Sequence, residues 1–72
     1  MLRAQAYRAS GRRAEALAAF ALAADRDPRN WLVRRDWAVE LRAAGERRKA
    51  ARQMSIALGL NPRLQLPAGF TR

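Results

Sequence analysis

The sequence predicts an all-α fold of four antiparallel helices in two helix-turn-helix units, followed by an extended C-terminal tail. The first observation behind this prediction is internal similarity at a shift of 34 residues, which aligns Gly11 with Gly45 and Pro28 with Pro62. A fixed period in this range is typical of stacked helical units. The second is composition: half of the residues are apolar, and alanine dominates them, which gives high helix propensity with little burial per residue.

The first unit is predicted to span residues 1–30 and to contain two helices. We expect one helix over 2–10, closed by Gly11, because glycine adopts the left-handed conformation that ends helices. The next is expected over 12–26, since this segment carries apolar residues at helical spacing. That apolar stripe consists of Ala16, Leu17, Phe20, Ala23 and Ala24.

The second unit, residues 31–64, repeats this pattern. Helices are predicted over 31–44 and 46–58, with Gly45 in the turn between them. We expect the shared small and large apolar positions of the two units to form the contacts within each hairpin, because small residues let helix backbones approach and large ones fill the adjoining space.

Helix-breaking residues set the remaining boundaries. Pro28 is predicted to stop the helix before it, and Asn30 is well placed to cap the helix that follows. Gly59, Asn61 and Pro62 are predicted to terminate the last helix.

The tail, residues 65–72, is predicted to be extended. Leu64, Leu66 and Phe70 give it and the residue before it apolar anchors. They either fold back over the last helix or dock on another subunit, and we favour the first arrangement.

The spacing of these residues resembles the tetratricopeptide repeat, a helix-turn-helix unit of 34 residues. The first unit meets the family pattern with Tyr7, Gly11, Ala16, Phe20, Ala23 and Pro28. The second meets it with Leu41, Gly45, Ala50, Met54, Ala57 and Pro62. The resemblance covers residues 1–64, with the first unit truncated at its N-terminus, and it implies a fragment of a right-handed α-solenoid.

The second unit departs from the family pattern at its start. Arg34 stands where the family commonly has tryptophan, with Trp31 and Trp37 on either side. We expect Trp37 to take the core position and Trp31 to cover the junction between the units.

The resemblance also implies a function, because members of this family bind peptides or protein surfaces in a groove lined by the first helix of each unit. The candidate partner-binding residues here are Gln5, Arg8, Leu32, Arg35, Val39 and Arg42. An arginine forks onto a carboxylate with two hydrogen bonds, so the expected ligand is an acidic or extended protein segment. The alternative interpretation is that these arginines only solvate a face.

The charge of the chain leaves further alternatives open. Lysine and arginine number 15 against 6 acidic residues, a net charge of +9. This excess reflects either a GC-rich coding sequence or an anionic partner. One alternative function is therefore a basic helical module that binds RNA or DNA, with phosphates contacted by Arg8, Arg12 and Arg13 or by Arg47, Arg48, Lys49 and Arg52. Another is a subunit of a homo-oligomer or a larger assembly, because two units are few for a repeat array.

The residue types argue against catalysis and cofactors. The chain has no cysteine and no histidine, which removes thiolate nucleophiles, the usual zinc ligands and the usual neutral-pH base. Asp36 and Glu40 lie one helical turn apart and are interpreted as a surface pair. We therefore predict no enzyme, cofactor or metal site. No signal peptide or membrane-spanning segment is evident, and a cytoplasmic location is the default expectation.

Overall fold

The computed structural model describes the backbone of residues 2–71 and the side chains of residues 11–71. This part of the chain forms three helices: α1 (Leu2–Arg26), α2 (Trp31–Ala43) and α3 (Arg47–Leu60). The prediction of four helices in two helix-turn-helix units is therefore wrong. The structure instead has one long helix followed by a single helical hairpin, in which α1 packs against α2 and α2 packs against α3.

The difference lies at Gly11, where α1 continues as a helix instead of turning. The φ angle of Gly11 is not positive, in contrast to that of Gly45, and glycine within a helix costs only about 1 kcal/mol relative to alanine. A turn at Gly11 would leave about four carbonyl groups without helical partners. Only burial of the short segment before Gly11 would offset that loss. This segment has few large apolar residues to bury, namely Met1, Leu2 and Tyr7.

The start of α2 and the turn that ends it are confirmed. The Asn30 side chain accepts a hydrogen bond from the Leu32 backbone N–H at 3.1 Å, which satisfies one of the free donors of the first turn. Gly45 has a φ of +83°, a conformation that costs a side-chain-bearing residue about 1–2 kcal/mol. The chain then reverses into α3.

α3 runs two residues further than predicted. It passes through Gly59 and ends at Leu60, with Asn61 as the C-terminal cap residue. The prediction that Gly59 ends the helix is therefore wrong, for the same reason as at Gly11. Glycine allows a helix to end but does not require it.

The hydrophobic core lies between α2, α3 and the segment after α3. Its buried centre consists of Ala38, Met54, Ala57 and Leu64, and half-buried apolar residues surround it: Trp31, Leu58, Leu66 and Phe70. The prediction that the tail residues fold back over the last helix is therefore confirmed. Leu64 is only 3% exposed, so the tail supplies part of the core.

The repeat-defining residues of the two units have different environments. In the second unit, the buried members are Leu41, Ala50, Met54 and Ala57, and Pro62 is exposed. In the first unit, Ala16, Phe20 and Ala23 are only half-buried, Pro28 is exposed and the Tyr7 side chain lies outside the described residues. The first unit buries less because α1 has no second helix of its own to form a hairpin with.

The two tryptophans have exchanged the environments that the sequence predicted for them. Trp31 packs against the core between α2, α3 and the tail. Trp37 is half-buried and lies where α1 meets α2, in a pocket that it shares with Ala21 and Ala24 of α1. The prediction that Trp37 takes the core position is wrong, because the tail approaches α2 on the side of Trp31.

Candidate partner-binding surfaces

The predicted groove residues of α2 lie together on one exposed face of the protein. We call this the outer face, and it consists of Leu32, Arg35, Val39 and Arg42. At 100° per residue these four positions fall within about one quarter of the helix circumference. The side chains of Gln5 and Arg8, which were predicted to extend this surface, lie outside the described residues.

The outer face is partly apolar. Leu32 is 45% exposed and Val39 is 40% exposed, and they lie two helical turns apart. Single exposed apolar residues are common on protein surfaces. Here two of them share a face with two arginines, so apolar and cationic groups alternate along about 15 Å of α2.

Arg35 is held in place on this face by two neighbours. Its Cζ atom lies 5.4 Å from the centroid of the Trp31 ring, which fits a cation–π contact between residues one helical turn apart. Its Nε and Nη2 atoms donate to Oδ1 of Asp36 at 3.1 and 2.9 Å. The Arg35 charge is therefore partly balanced within the chain, although both side chains keep contact with solvent.

Arg42, at the other end of the outer face, is held by the tail. Its Cζ atom lies 5.7 Å from the centroid of the Phe70 ring. Gly69 packs so closely that a Cβ atom there would overlap the Arg42 guanidinium, and its φ of +91° also favours glycine. The tail thus orders Arg42, and among the described residues no carboxylate is hydrogen-bonded to it.

A second surface, which the sequence did not predict, lies between α2 and α3. We call it the α2–α3 groove, a cavity of about 500 Å³ that is open to solvent. It is lined by Arg34, Trp37, Leu41, Lys49, Arg52, Gln53 and Ile56. The sequence signal for this groove is the combination of apolar and cationic residues at helical spacing on two consecutive helices, a pattern that is equally typical of a repeat core beside phosphate-binding arginines.

A hydrogen bond between two side chains links the two walls of this groove. Nη1 of Arg34 on α2 donates to Oε1 of Gln53 on α3 at 2.8 Å. Gln53 is 9% exposed. The Nε atom of Arg34 is buried and has no hydrogen-bond partner, which is unusual because buried polar groups are generally paired.

The two surfaces lie on nearly opposite sides of α2. The helical positions of Arg34, Trp37 and Leu41 centre about 150° away from those of the outer face, at 100° per residue. The basic run at the start of α3 is also divided: Lys49 and Arg52 line the α2–α3 groove, whereas Arg47 lines a separate pocket beside the tail. Arg47 therefore does not share a pocket with Lys49 and Arg52.

The acidic side chains of the described residues do not cluster into a metal site. In residues 2–71, no three acidic side chains come close enough together to hold a metal ion. Asp36 is hydrogen-bonded to Arg35. No helix in the same range combines the length and the apolar character needed to cross a membrane.

Comparisons with known proteins give no match: no family model, no curated protein and no solved structure is similar to this chain. The resemblance to the tetratricopeptide repeat therefore stays a prediction.

Proposed function

We propose that this chain is a non-catalytic protein-interaction module whose outer face binds an acidic protein segment. The observation that carries the proposal is the arrangement of α2, where exposed Leu32 and Val39 lie beside two arginines that aromatic rings hold in place. An arginine that is already ordered loses less conformational entropy when it binds a carboxylate. A segment that presents acidic and apolar side chains in turn on one of its faces matches the outer face.

The net charge of +9 supports the proposal through association kinetics. Complementary charge raises the rate at which an acidic partner meets the protein. The nucleic-acid alternative depends on the same net charge but lacks a second supporting feature. Base stacking requires accessible rings, and the rings beside the outer face, Trp31 and Phe70, are half-buried against the core.

The test uses a fluorescent peptide of about eight residues in which every second position is glutamate or leucine in turn, with serine between them. Both side-chain types then lie on one face when the extended peptide spans the outer face. Binding is measured by anisotropy at about 0.15 M salt. We expect Arg35→Gln/Arg42→Gln to weaken binding about tenfold, because two charge-assisted contacts are lost. The matched control is Arg12→Gln/Arg13→Gln, which removes the same charge from exposed positions of α1 and should change binding less than about twofold.

A second variant separates the apolar contribution from the charge. Leu32→Ala/Val39→Ala leaves every charge in place and should weaken the peptide about fivefold through lost apolar contact. Equal losses in the outer-face and control charge variants would show that net charge alone drives binding. Tighter binding to a single-stranded RNA than to the peptide, with a steep salt dependence, would favour the nucleic-acid alternative and contradict the proposal.

A further inference from the structure

The α2–α3 groove has the shape and chemistry of a docking site for a helix. Two packed helices leave a groove that a third helix can fill, at a typical interaxial distance of about 8–10 Å. The apolar side chains in this groove are Trp37, Leu41 and Ile56, contributed by both helices. Trp37 and Ile56 are half-buried, so apolar surface remains for a partner.

The charge of the groove selects the partner. Arg34, Lys49 and Arg52 line it, and no carboxylate is among the described residues of its lining. Lys49 and Arg52 are exposed, so they lie at the rim, where they can meet carboxylates at the sides of a docked helix. Arg34 also lines the groove, and its hydrogen bond to Gln53 keeps its positive charge at the groove wall.

The same charge argues against a second copy of this chain as the occupant. The N-terminal part of the sequence carries Arg3, Arg8, Arg12 and Arg13, and its first acidic residue is Glu15. Placing that segment against Lys49 and Arg52 would bring like charges together, which disfavours binding.

We propose that the α2–α3 groove binds the apolar face of an acidic amphipathic helix from another protein. The leucine-type side chains of the partner lie over Trp37 and Ile56, and its flanking carboxylates pair with Lys49 and Arg52. The inference goes beyond the proposed function, because this groove and the outer face lie on nearly opposite sides of α2.

The test uses a fluorescent peptide of about 16 residues, with leucine at helical spacing on one face and glutamate on the others, which is long enough to span the groove as a helix. We expect Lys49→Gln/Arg52→Gln to weaken binding about tenfold. The matched control, Arg12→Gln/Arg13→Gln, removes the same charge from exposed positions of α1 and should change binding less than about twofold. The outer-face variant Leu32→Ala/Val39→Ala should bind this peptide normally.

Tryptophan fluorescence reports where the peptide binds. In the Trp31→Phe variant the remaining tryptophan is Trp37, and we expect its emission to shift to shorter wavelength on binding, because the docked helix removes it from water. In the Trp37→Phe variant, Trp31 should respond little. Circular dichroism of the mixture should show added helix as the peptide orders.

Three results would overturn the inference. The first is equal weakening by the groove and control variants, which would mean binding by net charge alone. The second is displacement of the peptide by single-stranded RNA that itself shifts the Trp37 emission, which would assign the groove to nucleic acid. The third is failure of the peptide to bind together with self-association that strengthens in Lys49→Gln/Arg52→Gln, which would assign the groove to a second copy. Each of these leaves the outer-face test intact, so the two proposals fail separately.

Discussion

Arg34 donates a hydrogen bond to the side chain of Gln53 at 2.8 Å and thereby joins α2 to α3 at the wall of the groove. Gln53 is the buried polar residue of the described chain, and its oxygen would be left without this donor if Arg34 were replaced. The contact therefore joins the two helices and also keeps the Arg34 charge at the wall of the groove.

The first prediction concerns this pair. Arg34→Met should lower the free energy of unfolding by about 1–3 kcal/mol, because the Gln53 oxygen loses its charged donor. The double variant Arg34→Met/Gln53→Leu replaces both partners by apolar groups of similar size and should lose less than the sum of the two single variants. The measurement is a double-mutant cycle by urea unfolding, and strict additivity of the two losses would contradict the coupling.

The second prediction tests the long helix α1. Gly11→Ala should raise the melting temperature by about 2–8 °C, which corresponds to roughly 0.5–1 kcal/mol, since alanine favours a helix interior and an added Cβ meets no atom within 4 Å. Gly45 is the equivalent position in the repeat alignment, and there the change in stability should have the opposite sign. Gly45→Ala should lower the free energy of unfolding by about 1–2 kcal/mol, because φ is +83° at this residue.

Gly59→Ala is the control for the second prediction, because Gly59 also lies within a helix and has nothing within 4 Å of an added Cβ. It should behave like Gly11→Ala. If Gly11→Ala destabilised the protein as much as Gly45→Ala, the result would instead support a turn at Gly11, as the sequence predicted.

The third prediction concerns the tail. Leu64→Ala should cost about 2–5 kcal/mol, because Leu64 is 3% exposed and belongs to the core with Ala38, Met54 and Ala57. The exposed Leu32→Ala should change stability by less than about 0.5 kcal/mol. Thermal unfolding followed by circular dichroism gives both values, and similar melting temperatures for the two variants would show that the tail does not complete the core.

The fourth prediction compares two alanines that the 34-residue shift makes equivalent. Ala57→Leu should destabilise by about 1–3 kcal/mol, because Ala57 is 0% exposed and the core has no space for a larger side chain. Ala23→Leu, at a half-buried position of α1, should cost less than about 0.5 kcal/mol. Equal penalties in chemical denaturation would mean that α1 is packed as tightly as α3.

The sequence alone was sufficient for features that depend on neighbouring residues. The Asn30 cap and the turn at Gly45 follow from local hydrogen bonding and backbone sterics, and both are confirmed. The placement of Leu32, Arg35, Val39 and Arg42 on one face also follows from the sequence, because the helical period of α2 fixes their angular positions. The α2–α3 groove could not be predicted, since it depends on how two helices approach each other.

Only the tertiary structure decided the conformation or environment of residues for which the sequence allowed more than one. Gly11 and Gly45 look equivalent in the repeat pattern, yet one continues a helix and the other reverses the chain, because only the segment around Gly45 gains a buried hairpin in return for the broken helix. Trp31 and Trp37 likewise exchanged the environments predicted for them, because the folded tail lies on one side of α2 and α1 on the other. A sequence pattern limits the conformations that a segment can adopt, and the burial of apolar side chains between distant segments selects one of them.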